Sequence, residues 1–236
     1  GVKFYPMIFG RHMVWALREH KKTQTRRPLR KQPVGTVIPI GNNEFRDEEG
    51  LVFRPPVHPG DIFWGREAWC ELPEGRIAYE TGGEVYRWRV GPDARRFYLL
   101  EGHLNGYCLC DTKGPRFSRD TFPGRWRPSI HMPLEVARIF LRIEAIDLAR
   151  VQEITEEDAW AEGTEDLEMD WSAADLCATA KRYGLCVEDA RCTYAHLWDT
   201  MYGAGAYSWA KNPYVWTYTF RPISVEEASK CAIMPQ

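Results

Sequence analysis

The chain has 236 residues, of which 44% are hydrophobic and 27% charged, and its formal net charge is −2. This is an ordinary globular composition, long enough to bury a core without staples. It excludes a disordered polyelectrolyte and a polycation that grips nucleic acid through its overall field. Aromatic residues reach 13%, with ten Trp, which suits a β-rich core, a stacking surface or both.

In chain order, Arg11 to His20 predicts a short helix with Met13, Val14, Ala16 and Leu17 on its apolar side. Lys21 to Arg27 is polar and carries β-branched Thr23 and Thr25, the pattern of a loop entering a strand; Pro28 and Pro33 interrupt regular structure after it. Thr36–Ile40 reads as a brief strand and Asn42 to Gly50 as a polar, turn-rich link. Val57 to Trp64 reads as a turn feeding a strand that runs to Trp69. From Leu72 to about Arg127, strand-like pieces (Arg76–Glu80, Val85–Val90, Phe97–Leu100) stand among many Gly, Pro and Arg residues. This stretch reads as a hairpin-rich insertion, at about 72–127, in a single domain spanning 1–236.

Ala137–Asp147 and Val215–Phe220 alternate with period two, as strands with distinct faces do. Between them Thr155 caps a helix whose acidic first turn suits the positive end, and Gly163 closes it just after Glu162. A second helix is predicted over Ala173–Tyr183. A third, Val187–Tyr202, carries the stripe Ala190, Tyr194, Leu197, Trp198 and Met201, read as core packing. Strands at both ends with helices between predict an α+β fold built on a small β-barrel.

No run of about twenty apolar residues predicts a membrane span, and the N-terminus lacks the pattern of a signal peptide. Seven irregularly spaced cysteines read as reduced thiols of a cytoplasmic protein rather than a disulfide framework. His103, Cys108 and Cys110 make a poor zinc signature, so neither metal nor cofactor is expected.

The densest chemistry is Lys22-Thr23-Gln24-Thr25-Arg26-Arg27. Crowding by Lys21, Arg26 and Arg27 lowers the pKa of a convergent lysine and makes it a usable base. A Thr hydroxyl three residues on is a nucleophile or a holder of water, and Arg26 or Arg27 can hold a phosphate or a carbonyl. A solvated basic surface describes the same composition equally well.

Met13-Val14-Trp15-Ala16-Leu17 followed by Lys21 to Arg27 resembles the signature of the ASCH domain family, as does the block Pro59 to Trp69. Trp126 to Pro133, the Ile154–Gly163 helix and Asn212 to Trp216 are similar to segments of its long, phage- and prophage-associated members. The resemblance implies a PUA-like fold: a small pseudo-closed β-barrel with helices at its mouth. It further implies the activity of the compact bacterial members, amidohydrolases that remove the acetyl group from N(4)-acetylcytidine. Carried over position by position, the catalytic set is Lys22, Thr25 and Glu162, with no metal. Arg26, Arg27, Glu67 and Trp64 are the expected substrate-binding residues, although Glu67 reads first as an ion-pair partner and Trp64 first as barrel core. Two departures stand out: a Gly that usually precedes the basic pair is replaced by Glu19 or His20, and the chain is longer than the compact enzymes. The expected partner is therefore a modified nucleoside or a nucleic acid. Two alternatives are a non-catalytic RNA- or DNA-binding reader of modified bases and an accessory phage protein with a vestigial site. Oligomeric state stays open.

Overall fold

The structure is a computed structural model that describes residues 1–71, 76–79, 84–86, 125–165 and 171–233. The fold is mixed α and β. A five-stranded sheet is built from β1 (Phe4–Ile8), β2 (Gln24–Pro28), β6 (Ile62–Arg66), β10 (Phe140–Arg150) and β11 (Tyr214–Ile223), paired in the order β1-β6-β10-β11-β2. The first pair, β1 and β6, is parallel; β6 with β10 and β11 with β2 are antiparallel. Three sequence-predicted strands thus contribute to one sheet, β10 and β11 extending beyond their predicted ends. A three-stranded sheet forms from β3 (Ile38–Gly41), β4 (Glu44–Arg46) and β5 (Val52–Phe53), and another from β7 (Trp69–Glu71), β8 (Arg76–Tyr79) and β9 (Glu84–Tyr86).

The chain divides into two compact units. One comprises residues 1–18, 61–142 and 222–236, and the other 19–60 and 143–221, the boundaries falling inside β10 and β11. In the first, α1 (Arg11–Arg18) buries Met13, Val14, Ala16 and Leu17, the apolar side read from its periodicity. The strand predicted through Trp69 breaks after Arg66, so that Trp69 pairs with Tyr79 in a different sheet. Gly65 is required at the end of β6: a Cβ there would come within 2.9 Å of Ile139 Cβ. Ile62, Trp64, Trp69, Tyr79, Val136 and Phe140 belong to this unit's core. β8 and β9 pair antiparallel within the stretch read as an insertion; residues 87–90 of the strand-like Val85–Val90, Phe97–Leu100, and His103, Cys108 and Cys110, lie outside the described residues.

In the second unit, α2 (Glu156–Ala161), α3 (Ala173–Tyr183) and α4 (Ala190–Tyr202) lie between β10 and β11 in sequence. Ala159, Ala190, Tyr194, Ala195 and Trp198 pack with Val151, Trp209 and Val215 into its core. Burying each large side chain of this core contributes roughly 1.5–3 kcal/mol; α2 itself buries only Ala159, and its first turn is held by the Thr155–Asp158 capping box. Two expectations need correction. The α4 helix starts at Ala190 rather than Val187, because the Asp189 side chain accepts from Arg191 N and caps it there. Met201, predicted on the packing stripe, is 49% exposed. The polar link over 42–50 also contains a strand, since Asn42 and Asn43 both adopt left-handed φ (53° and 57°) and turn β3 into β4.

Candidate functional site

Lys22 and Glu162 meet directly, 140 positions apart in sequence. Thr155 caps α2 by accepting from Asp158 N at 3.1 Å, and Glu162 ends it. Thr23 N then donates to Ala161 O at 2.8 Å, while Phe220 N donates to Thr23 O at 2.9 Å. These two backbone bonds fasten the residue after Lys22 to the end of α2 and to β11. A carboxylate at a helix C-terminus faces the negative end of the dipole and is unfavourable there alone. Lys22 offsets this: its Nζ donates to Glu162 Oε2 at 2.6 Å and to the Glu162 backbone carbonyl at 2.7 Å. The turn before Lys22 carries His20 at φ 58°, the left-handed region that favours glycine.

Both side chains are almost completely enclosed, Lys22 at 1% and Glu162 at 4% exposure. Burial pushes the Lys22 ammonium below its ordinary value; the Glu162 charge and hydrogen bond oppose that, and Arg27 and Arg26 reinforce it. Desolvation is the leading cause; of the two causes expected from sequence, cationic neighbours and partial burial, burial is the larger. Lys21, expected among the crowding charges, pairs instead with Glu165 at 3.5 Å.

Gln24 and Arg26, alternate residues of β2, share a face and join this pair to α2. Arg26 Nη2 donates to Asp158 Oδ2 at 2.9 Å and Arg26 Nη1 lies 3.6 Å from Glu162 Oε1. Arg26 Nη1 also donates to Gln24 Oε1, and Gln24 Nε2 donates to Asp158 Oδ1 at 3.0 Å. Burial works against the Asp158 charge, yet the Gln24 hydrogen bond and the Arg26 charge hold its carboxyl below the usual range. The Tyr194 hydroxyl lies 3.4 Å from Glu162 Oε1, and burial first, then the Glu162 charge, keeps it protonated.

Thr25 and Arg27 occupy the alternate positions of β2. Thr25 is fully buried, opposite Tyr218, and its Oγ1 accepts from Arg27 Nη1 at 3.0 Å. Arg27 is half-buried. No hydrogen bond joins Thr25 to Lys22 or Glu162 among the described residues. What the structure brings together is Lys22, Arg26 and Glu162 in one network, with Thr25 and Arg27 as a second pair on the same strand.

Glu67 and Trp64 belong to the other unit. Glu67 is 3% exposed and forms a two-pronged ion pair with Arg138, at 2.7 Å to Nε and 2.8 Å to Nη2. The Arg138 guanidinium lies 3.9 Å from the centre of the Tyr79 ring, and the Tyr79 hydroxyl donates to Val136 O. Trp64 is buried in that unit's core with the Arg66 guanidinium 4.8 Å over its ring. Both placements match the ion-pair and core readings of these residues.

Asp158, Gln24 and Tyr194 were not singled out from sequence as site residues. Asp158 and Glu162 were nevertheless readable as i and i+4 of one helix, which places them on the same side. Among the described residues no group of three His, Cys, Asp or Glu side chains is placed to hold a metal ion, and no helix is long and apolar enough to cross a membrane. No family model, curated protein or solved structure matches the chain.

Proposed function

We propose that the protein is an amidohydrolase that removes an acyl group from the exocyclic amine of a pyrimidine nucleoside or base, of which N(4)-acetylcytidine is the model substrate. The reading also takes the chain to be a cytoplasmic member of the ASCH family, its five-stranded sheet belonging to a PUA-like barrel. The observation that carries it is the buried Lys22–Glu162 contact. An amine desolvated to this degree gives up its proton more readily than a surface lysine, and the carboxylate beside it can receive and return that proton.

In this mechanism neutral Lys22 takes a proton from the attacking oxygen, which is Thr25 Oγ1 or a water held by it. The oxygen adds to the acyl carbon and the carbonyl electrons move onto its oxygen. Collapse of that adduct breaks the bond from carbon to the exocyclic nitrogen, which takes its proton from Lys22 or Glu162 and leaves as the cytosine amine. If Thr25 is the nucleophile, water then hydrolyses the acyl ester and acetate departs. The Arg27 hydrogen bond to Thr25 Oγ1 favours the alkoxide character that the first step needs. Arg26, engaged with Asp158, Gln24 and Glu162, suits a role in holding Glu162 better than one in gripping substrate.

Burial of Lys22 and Arg26 removes two cations from the surface that a nucleic-acid reader would present, leaving Arg30 and Lys31 exposed in that segment. Incubation with N(4)-acetylcytidine tests the reading: the ultraviolet spectrum should shift to that of cytidine with release of acetate. No conversion by folded wild-type protein, with oligonucleotide binding instead, would favour the reader.

A further inference from the structure

Two buried polar atoms of the second unit have no hydrogen-bond partner among the described residues: Arg26 Nε and Thr217 Oγ1. Their residues are 4% and 8% exposed. They are also direct partners in the register of β2 and β11. Opposed residues of antiparallel strands project to the same face with Cβ atoms about 5 Å apart. A donor and a hydroxyl, each costly to leave unpaired in the interior, therefore face the same small region.

The guanidinium cannot turn to relieve Nε without giving up its other bonds. Nη2 is held by Asp158, and Nη1 by Gln24 beside Glu162. Nε–H only donates, whereas a Thr hydroxyl both donates and accepts. One oxygen atom, accepting from Nε–H and donating to or accepting from Oγ1, satisfies both. Each of the two atoms exposes less than 1 Å². The fitting occupant is thus an enclosed water, which has the two or more polar partners such a molecule needs.

We propose that Arg26 Nε and Thr217 Oγ1 together bind one internal water, and that Thr217 is thereby a positioning residue for the Lys22–Glu162 pair. The water fixes the plane of the guanidinium, and with it the approach of Nη1 to Glu162. The water site stands on geometry alone; the positioning role rests on the amidohydrolase reading.

Thr217→Val keeps the shape and removes the hydroxyl, and Thr217→Ser keeps the hydroxyl. With the water present, Thr217→Val raises the unfolding constant about tenfold in denaturant titrations, the worth of one net hydrogen bond. An unbridged hydroxyl predicts the opposite sign, because its removal relieves an unmade bond. A Thr217→Val protein as stable as wild type or more so overturns the water site.

The Arg26 Nε–H resonance, assigned by its loss in Arg26→Lys, should show magnetisation transfer to a bound water in the wild-type protein. Its absence there also overturns the site, and this arm decides if Thr217→Val fails to fold. With N(4)-acetylcytidine, Thr217→Val should lower kcat at unchanged KM and Thr217→Ser should restore it. Unchanged kcat in Thr217→Val overturns the positioning role. Wild-type protein without activity overturns the amidohydrolase reading while leaving the stability and resonance arms to decide the water.

Discussion

Glu162→Gln isolates the electrostatics of the site, because the amide keeps the shape of the side chain and removes its charge. In the variant the Lys22 ammonium retains its 2.7 Å bond to the residue 162 carbonyl but loses the counter-charge 2.6 Å away. Stranding one member of a buried ion pair costs about 3–5 kcal/mol. The cost has a ceiling, because Lys22 can become neutral instead. From its ordinary value of 10.5, deprotonation at pH 7 costs about 1.4 kcal/mol per pH unit, or about 5 kcal/mol in all. The sign with pH follows from the same lowering. Between the folded-state pKa and 10.5 the unfolded chain binds the extra proton, so stability rises with pH and levels off above 10.5. Glu162 opposes the lowering in the wild-type protein, so the variant climbs over the wider range. Urea titrations between about pH 7 and pH 9.5 should show a deficit of about 3–5 kcal/mol that narrows as pH rises. Adding Lys22→Met should recover part of it, since no buried ammonium is then left without its counter-charge. A deficit under about 1 kcal/mol that is flat with pH would show that this contact does not hold a desolvated charge.

Lys22→Arg and Lys22→Ala should each reduce acetylcytidine hydrolysis by on the order of 10²–10⁴-fold, since a guanidinium stays charged and alanine has no base; retention of activity by the arginine variant would remove Lys22 from the base role. His20→Gly should raise stability by about 1 kcal/mol in thermal or urea unfolding, because φ 58° strains a side chain-bearing residue. A loss there would mean that the imidazole makes contacts worth more than the strain. Glu67→Gln should destabilise by about 3 kcal/mol, stranding Arg138 in the first unit's interior, whereas a fall in substrate affinity at unchanged stability would return Glu67 to substrate binding.

Much of the frame was legible because it rests on periodicity. The alternation of β10 and β11, the Thr155 cap and the apolar side of α1 are local patterns that packing enforces. What escaped depends on atoms distant in sequence. Val57 to Trp69 carries apolar and aromatic residues across a break, and only the Glu67–Arg138 pair and the Trp69–Tyr79 register show why one predicted strand is two. The C-terminal helix α5 (Val225–Ile233) and the strand β1 were not anticipated; both are short, and β1 has Pro6 at its centre. Within the site, the identities of Lys22, Thr25 and Glu162 came from a motif. Nothing in that motif says that Thr25 bonds Arg27 while Lys22 bonds Glu162.

The cause of the lysine's altered acidity is where the structure ranks two effects that the sequence only named, burial and cationic neighbours. A run of cations invites an argument from repulsion, yet Lys21 turns to Glu165 and Arg26 is tied to Asp158 and Gln24. Arg27 and Arg26 still lower the Lys22 value, but less than burial does. Removal of water is uncompensated by geometry of that kind, and it acts on Lys22 whatever its neighbours carry. An acidic partner placed in the same enclosure limits the shift. Arg26 contributes chiefly by fixing where Glu162 sits. The basic segment is therefore better understood as two alternating rows of β2, one bracing the carboxylates of α2 and the other holding the Thr25 hydroxyl, than as a patch of positive surface.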